Sequence, residues 1–190
     1  FCAGAGGKSL LLGALMNSKG RLYAFDVSEK RLSNMTPRFK RSGLSNLHAQ
    51  RITHENDIKV KRLTGKIDRV LVDAPCSGLG TLRRNPDLKW RQSAQSIDDL
   101  KVKQTTILSA AASLLKPGGR LVYATCSFLP EENQMIIQGF LATHPQFTLL
   151  NCSELLAQQK ISIDTGEFLH LSPQKHQTDG FFAAALIRNE

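Results

Sequence analysis

The sequence lacks several features that would place it in other classes of protein. Its 190 residues hold only four cysteines, and no two of them form a CxxC pair. A zinc site is therefore not expected. No apolar run approaches the roughly 20 residues that a transmembrane helix needs. An even cysteine count is compatible with disulfides, but nothing indicates secretion, so we expect a cytoplasmic protein with free thiols and no metal or membrane partner.

Acidic residues are also scarce. Asp and Glu total 16 against 25 Lys and Arg, which gives a net charge of +9 and a pI of about 9.7. Such an excess is typical of a protein that binds a polyanion, because phosphate contacts release counterions. A basic surface that is merely solvated explains the charge equally well.

The length is typical of one domain, and we expect residues 1–190 to form a single monomeric domain. No repeat, low-complexity tract or internal boundary interrupts the chain. It starts with Phe1 rather than Met, and its first residues resemble a loop that follows a strand. We therefore infer that an upstream portion, including the first strand of the fold, is absent from this sequence.

Apolar segments of strand and helix length alternate along the chain. In chain order they are strand 21–26, helix 28–42, strand 67–72, helix 97–116, strand 120–125, helix 131–143 and strand 181–187. This alternation predicts an α/β fold with a Rossmann-like, doubly wound, mostly parallel sheet. Ligands of such sheets bind at the carboxyl ends of the strands.

A glycine-rich segment at residues 2–8 opens the chain. It is not a phosphate-binding P-loop, because Cys2 occupies the position of the first P-loop glycine. It is not the dinucleotide fingerprint, because Ser9 replaces the third glycine. Either the turn needs glycine only for its shape, or it allows a ligand to approach the backbone closely. Asp26 ends the next strand, where a carboxylate can bind ribose hydroxyls, so the pair favours S-adenosylmethionine as the ligand.

Two cysteines, in Pro75-Cys76 and Thr125-Cys126, each follow a predicted strand. The carboxyl ends of parallel strands lie at one edge of a sheet, so we expect the two thiols to face one reaction site. The thiolate is the nucleophilic form of cysteine, and a basic site favours it. Cys2 and Cys152 are interpreted as small buried hydrophobic residues.

These motifs resemble those of the Nol/Nop/Sun-type RNA cytosine-5 methyltransferases, whose bacterial branch includes the Fmu/Sun ribosomal RNA enzyme. The resemblance covers nearly the whole chain. Its most specific parts are Asp-Ala-Pro-Cys-Ser-Gly at 73–78, Arg-Arg-Asn-Pro-Asp at 83–87, Tyr-Ala-Thr-Cys-Ser at 123–127 and Pro-Glu-Glu-Asn at 130–133. It implies a class I methyltransferase domain that transfers a methyl group from S-adenosylmethionine to carbon 5 of a cytosine in RNA. Ribosomal RNA is favoured as the substrate over transfer RNA.

The resemblance also implies a role for each site residue. Cys126 attacks carbon 6 of cytosine, and Asp73 holds or protonates the ring near nitrogen 3. Cys76 assists release of the enzyme once the carbon-5 proton is lost. The residues implied to bind the cofactor are Cys2, Ala3, Gly4, Ala5, Gly6, Gly7, Lys8, Asp26 and Asp73.

The chain departs from the family pattern at two places. The family loop usually reads Cys-Ala-Ala-Pro-Gly-Gly-Lys, whereas Gly4 and Ala5 replace its second Ala and its Pro. Loss of the proline loosens the turn, which is expected to weaken cofactor binding. The acid that usually lies near the adenine has no clear counterpart. Four residues stay candidates for that position: His54, Glu55, Asn56 and Asp57.

A basic stretch follows the Pro-Cys segment directly. Arg83 and Arg84 are expected to contact RNA phosphates. Trp90 either stacks on a base or packs inward, and inward packing is favoured. The target cytosine has to leave any stack to reach a thiol at the sheet edge.

Two other functions stay open. The altered glycine loop is compatible with a binding module that kept the fold and lost activity. A DNA substrate is the other possibility. DNA cytosine methyltransferases carry their nucleophile in the Pro-Cys motif, which would make Cys126 dispensable.

Overall fold

The computed structural model describes residues 1–163 and 165–190, which divide into two compact units, residues 1–62 and residues 63–190. Each unit is described by itself, and the single domain expected from the sequence stays a prediction. Among the described residues, no helix combines the length and the apolar character needed to span a bilayer.

The first unit contains two parallel strands and three helices. Its elements are α1 (Gly7–Leu15), β1 (Leu22–Asp26), α2 (Glu29–Ser42), β2 (Leu47–Arg51) and α3 (Ile58–Lys61). Strand β1 pairs with β2 in parallel register, from Leu22 opposite Leu47 to Asp26 opposite Arg51. Ala24, Leu32, Met35 and Leu47 form the buried core.

Helix α2 matches the predicted segment at both ends. Ser28 begins it, and its side chain accepts a hydrogen bond from the Arg31 N–H at 3.3 Å. Gly43 ends it in the left-handed conformation, with φ of 68°. These are the usual N-terminal and C-terminal signals of a helix, which explains why the sequence located it correctly.

The second unit is built on a mixed sheet. Its elements are β3 (Ile67–Asp73), α4 (Leu88–Arg91), α5 (Ala94–Ala112), β4 (Leu115–Thr125), α6 (Gln134–Thr143), β5 (Phe147–Leu150), α7 (Cys152–Gln158), β6 (Leu169–Leu171), α8 (Pro173–His176) and β7 (Phe181–Arg188). Short 3₁₀ helices occur at Leu79–Thr81 and Pro130–Glu132. The strand order is β3-β4-β7-β5, and β6 also pairs with β7.

The α/β class is confirmed, but the sheet is mixed rather than mostly parallel. The β3–β4 pair is parallel, whereas β7 pairs antiparallel with β4, β5 and β6. The sequence identified β7 as a strand, but an apolar run carries no information on strand direction. Tyr123, Leu121, Phe182 and Leu186 lie in the buried core of this sheet.

Helix α5 ends earlier, and strand β4 begins earlier, than the sequence predicted. The apolar periodicity predicted a helix to residue 116, but the helix ends at Ala112 and β4 begins at Leu115. Leu114 and Leu115 are both fully buried, so they continue the apolar pattern after the helix has ended. The Pro-Gly-Gly segment at 117–119 lies in a register shift of the β3–β4 pair. Helix α6 likewise begins three residues later than predicted, after the 3₁₀ turn at Pro130–Glu132.

Candidate active site

The glycine loop of the first unit is fastened to β1 by a buried carboxylate. Asp26 is 3% exposed, and its Oδ2 accepts a hydrogen bond from the Gly4 N–H at 2.8 Å. Its Oδ1 accepts one from the Ser28 N–H, also at 2.8 Å. The Ala3 N–H donates to the Phe25 carbonyl at 2.9 Å. Asp26 therefore orders the loop as well as ending the strand.

The loop has the open backbone that an adenosyl ligand requires. Gly4 and Gly6 have left-handed φ angles of 57° and 83°. A Cβ added to Gly4 or Gly7 would meet nothing within 4 Å, whereas one added to Gly6 would collide with the Met35 side chain. Each carboxylate oxygen of Asp26 can accept a second hydrogen bond, so the aspartate can still bind ribose. These residues fit S-adenosylmethionine, and their roles toward it stay predictions.

The segment with the four adenine candidates folds on itself. Asp57 caps α3 by accepting from the Lys59 N–H at 2.9 Å, and its other oxygen accepts from the N–H and hydroxyl of Thr53. These backbone bonds lower the pKa of Asp57 to about 2. The Nδ1 of His54 accepts from the Asn56 N–H at 3.1 Å.

The thiols of Cys76 and Cys126 in the second unit lie in contact. Cys76 follows β3 and Cys126 follows β4, and these strands are parallel with Asp73 opposite Ala124. The Sγ atoms are 3.4 Å apart, so the two strand ends bring the thiols together. That both thiols face one reaction site stays a prediction. Asp73 is the last residue of β3 and is half-buried. None of the four cysteines, all of which the structure describes, forms a disulfide. Cys152 is buried as predicted, whereas Cys2 is only partly buried, so its interpretation as a buried residue is wrong.

The contact between the thiols controls their ionisation. The hydrogen bond to Cys126 raises the pKa of Cys76 above its ordinary value, and burial and the charge of Cys126 raise it further. Two thiolates at this distance would repel each other in a poorly solvated site. The pair therefore holds one negative charge at most in the neutral range, and Cys76 keeps its proton.

Close backbone contacts hold three loops together beside the thiols. The Gly80 N–H donates to the Cys126 carbonyl at 2.9 Å, and the Gly180 N–H donates to the Gly80 carbonyl at 2.8 Å. A Cβ on Gly80 would run into the carbonyl groups of Gly180 and Cys126. Only glycine allows this approach, which explains why residues 80 and 180 are both glycine.

The residues that follow the two cysteines meet at one buried carboxylate. Glu132 is fully buried, and its Oε2 lies 2.5 Å from the hydroxyls of both Ser77 and Ser127. Its Oε1 accepts from the Ser77 N–H at 2.8 Å and from Gln104 Nε2 at 3.0 Å. No role was predicted from the sequence for Glu132, Ser77, Ser127 or Gln104. Gln104 was the one sequence signal of a buried polar partner, because it interrupts the apolar face of α5 between Leu100 and Ile107.

The basic stretch after the Pro-Cys segment is exposed. Trp90 is 81% exposed, so the favoured inward packing is wrong, and Lys89 Nζ lies 4.9 Å from its ring centroid. Helix α4 has a single turn and buries none of its residues, which leaves the indole without a core to enter. Arg83 and Arg84 are both exposed, and Arg84 forms an ion pair with Asp179. Their contact with RNA stays a prediction.

The family model for 16S rRNA methyltransferase RsmB/F matches residues 1–187. The chain belongs to this family. Family membership confirms the resemblance found in the sequence and S-adenosylmethionine as the cofactor class of the fold. Within the described residues no group of three or more His, Cys, Asp or Glu side chains could hold a metal ion.

Curated relatives of the family are longer than this chain. A probable ribosomal RNA small subunit methyltransferase B from Synechocystis sp. is 39% identical over 188 residues, which cover 97% of this chain and 41% of that protein. A ribosomal RNA small subunit methyltransferase B from Yersinia pseudotuberculosis is 37% identical over 192 residues, which cover 99% of this chain and 41% of that protein. The chain thus spans about two fifths of these relatives.

Solved structures of similar proteins share the fold. NSun6 from Pyrococcus horikoshii, solved with SFG, has a TM-score of 0.81 and 29% identity, covering 98% of this chain and 46% of that one. A methyltransferase homolog protein from the same organism has a TM-score of 0.78 and 30% identity, covering 96% and 58%.

We predict that Gly80→Ala destabilises the protein by about 2 kcal/mol, because the new methyl group meets backbone atoms that cannot move aside. Urea unfolding measures the change. Gly139→Ala is the matched control, since a Cβ there meets nothing within 4 Å and α6 gains helix propensity, so its stability should rise by up to about 1 kcal/mol. Wild-type stability for Gly80→Ala would show that the loops do not depend on this close approach.

Cys126→Ala should lower the pKa of Cys76, because it removes the largest cause of the raised value. In the wild type, Cys76 should react with iodoacetamide only at higher pH than in the variant. The rate of alkylation is followed against pH by mass spectrometry of the Cys76 peptide. An identical pH dependence in the two proteins would mean that burial alone sets this pKa.

Proposed function

We propose that this chain is the catalytic part of an enzyme that transfers a methyl group to carbon 5 of a cytosine in ribosomal RNA. The observation that carries the proposal is the 3.4 Å contact between the thiols of Cys76 and Cys126. Family membership supports the substrate class and the cofactor. The bound S-adenosylmethionine supplies the methyl group as an electrophile at its sulfonium, and residues 2–8 with Asp26 are proposed to hold it.

The reaction begins at Cys126. Its thiolate forms a bond to carbon 6 of the cytosine, and the displaced electron pair makes carbon 5 nucleophilic. Asp73 stabilises the ring by a hydrogen bond or a proton at nitrogen 3, where negative charge develops. Carbon 5 then takes the methyl group. Loss of the carbon-5 proton re-forms the ring double bond and returns the electron pair of the carbon–sulfur bond to Cys126.

The ionisation of Cys76 suits the release step. While Cys126 is a thiolate, Cys76 keeps its proton and donates a hydrogen bond to it. Once Cys126 is bonded to carbon 6, it no longer carries that charge, so the main cause of the raised pKa of Cys76 is gone. Cys76 then gives its proton to water more easily, and the resulting thiolate can accept the proton from carbon 5.

RNA contacts are proposed for the exposed segment after Cys76. Arg83, Lys89 and Arg91 supply positive charge for phosphates, and the exposed face of Trp90 suits stacking on an unpaired base. Arg84 is proposed to contact RNA as well, with its ion pair to Asp179 fixing its direction. An enzyme of bacterial type that acts on ribosomal RNA works in the cytoplasm, which is the compartment we propose. A monomeric state stays a prediction.

Cys126→Ala should abolish methylation, because no other residue is proposed to attack carbon 6. Cys76→Ala should instead accumulate a covalent protein–RNA adduct, because formation of the bond to Cys126 proceeds but its release does not. Incorporation of labelled methyl groups into ribosomal RNA and a denaturing gel measure the two effects. Full activity of Cys126→Ala together with loss of activity in Cys76→Ala would favour Cys76 as the nucleophile, as in the DNA enzymes. Absence of methylation and of a cofactor-induced Tm shift in the wild type would favour the non-catalytic module.

Trp90→Ala should weaken binding of single-stranded RNA by about 1–3 kcal/mol, which is the usual contribution of one stacked base. The salt dependence of binding should stay the same, because no phosphate contact is lost. Arg83→Ala should instead reduce the slope of log affinity against log salt by about 0.7 for one phosphate on a single strand. Fluorescence anisotropy with a labelled oligonucleotide measures both quantities.

Val102→Ala serves as the control for Trp90→Ala, since Val102 is an exposed apolar residue on α5. Its RNA affinity should equal that of the wild type. Equal RNA affinities for the wild type, Trp90→Ala and Val102→Ala would show that Trp90 does not contribute to the RNA-binding site.

A further inference from the structure

Glu132 connects the two cysteine-bearing loops at equivalent positions. Ser77 directly follows Cys76, and Ser127 directly follows Cys126. Both hydroxyls bind the same carboxylate oxygen at 2.5 Å and lie 3.1 Å from each other. The thiols of the preceding residues lie at the corresponding distance of 3.4 Å. One acceptor atom thus fixes two points of the chain that are far apart in sequence.

We propose that Glu132 is a positioning residue whose carboxylate sets the spacing between the thiols of Cys76 and Cys126. The proposal rests on the proposed function for the use of the thiols, but their spacing is measurable without any methyl transfer. Glu132 itself does not touch the reacting atoms. It acts through Ser77 and Ser127.

A carboxylate is the side chain that can bind this set of groups. Its four donors are two hydroxyls, one backbone N–H and the side-chain amide of Gln104, and all four are neutral. An ionised carboxylate has two oxygens that only accept, so it can bind all four at once. An amide offers one oxygen and an NH₂ group that needs acceptors. An amide at position 132 would therefore either lose the bonds to the Ser77 N–H and Gln104, or force both hydroxyls to turn and accept from its NH₂ group.

The carboxylate is itself held in a fixed place. The Tyr123 hydroxyl donates to the Glu132 carbonyl at 2.7 Å, and Tyr123 is fully buried in β4. The next residue, Asn133, donates to the Ser127 carbonyl at 3.0 Å and accepts from the Thr125 hydroxyl at 2.6 Å. On the other side, Gln104 also donates to the Pro75 carbonyl at 2.9 Å. Glu132 is therefore bonded to both cysteine-bearing loops and, through Tyr123, to β4. A shift of its carboxylate would consequently move the thiols.

The rate at which the two thiols form a disulfide measures their spacing directly. The azo compound diamide accepts two electrons and two protons from the thiols of Cys76 and Cys126 and becomes a hydrazine. The bridged peptide is quantified by mass spectrometry, without RNA or cofactor. We expect Glu132→Gln to slow this reaction roughly tenfold or more, because sub-ångström to ångström shifts of reacting groups change rates by such factors.

Two further variants complete the test. Ser127→Ala removes one of the two hydroxyl bonds to Glu132 and should also slow disulfide formation. This variant tests the proposal if Glu132→Gln does not fold. Glu131→Gln is the matched control, since it changes a neighbouring carboxylate that does not bind Ser77 or Ser127, and should react at the wild-type rate. All rates are measured well below the Tm of each variant.

The methylation assay supplies a second readout. A positioning role predicts that kcat falls for Glu132→Gln while KM for the cofactor stays unchanged, because the binding loop of the cofactor is untouched. Wild-type rates of disulfide formation in folded Glu132→Gln and Ser127→Ala would overturn the proposal. That result would leave the proposed function intact, whereas methylation by Cys126→Ala would overturn the proposed function and leave the disulfide measurement valid.

Discussion

The parallel pairing of β3 with β4 is the constraint on which the active site depends. Its register sets Asp73 opposite Ala124, so the chain leaves both strands at the same level and delivers Cys76 and Cys126 to one place. Buried residues of both strands maintain that register, among them Val72, Leu121 and Tyr123. A slip of one residue would turn each of these side chains to the opposite face. The contact between the thiols is thus a consequence of the hydrophobic core.

The chemistry follows from the same contact. Two thiols at 3.4 Å cannot both ionise in a half-buried site, so Cys76 keeps its proton and the proposed nucleophile is Cys126. In the proposed reaction, bonding of Cys126 to carbon removes its charge and thereby lowers the pKa of Cys76. Gly80 and Gly180 allow the loops to approach closely enough for this contact. The Glu132 carboxylate joins the two cysteine-bearing loops through Ser77 and Ser127, the residues that directly follow the cysteines.

The sequence predicted those parts of the fold that have a local signal. Helix α2 carries its own start and stop residues, and the apolar runs of β3 and β7 are unmistakable. Strand β2 was missed because only Leu47 of its five residues is buried, so it lacks the alternation of a half-buried strand. The end of α5 was misplaced because Leu114, in the turn after the helix, and Leu115, the first residue of β4, are as buried as the apolar face of the helix. In the site, Cys76 and Cys126 were found from their strand-end positions. Glu132 was not, because its burial is explained only by its donors, and two of these, Ser77 and Gln104, are distant in sequence.

The central claim is that Cys126 forms a covalent bond with the target base. Ribosomal RNA in which cytosine is replaced by 5-fluorocytosine tests it most directly, because fluorine cannot leave carbon 5 as a cation and the enzyme stays bonded after methylation. Mass spectrometry of the digested adduct then locates the base. The account predicts a methylated fluorocytosine on the peptide that contains Cys126. A stable adduct on the Cys76 peptide would contradict it.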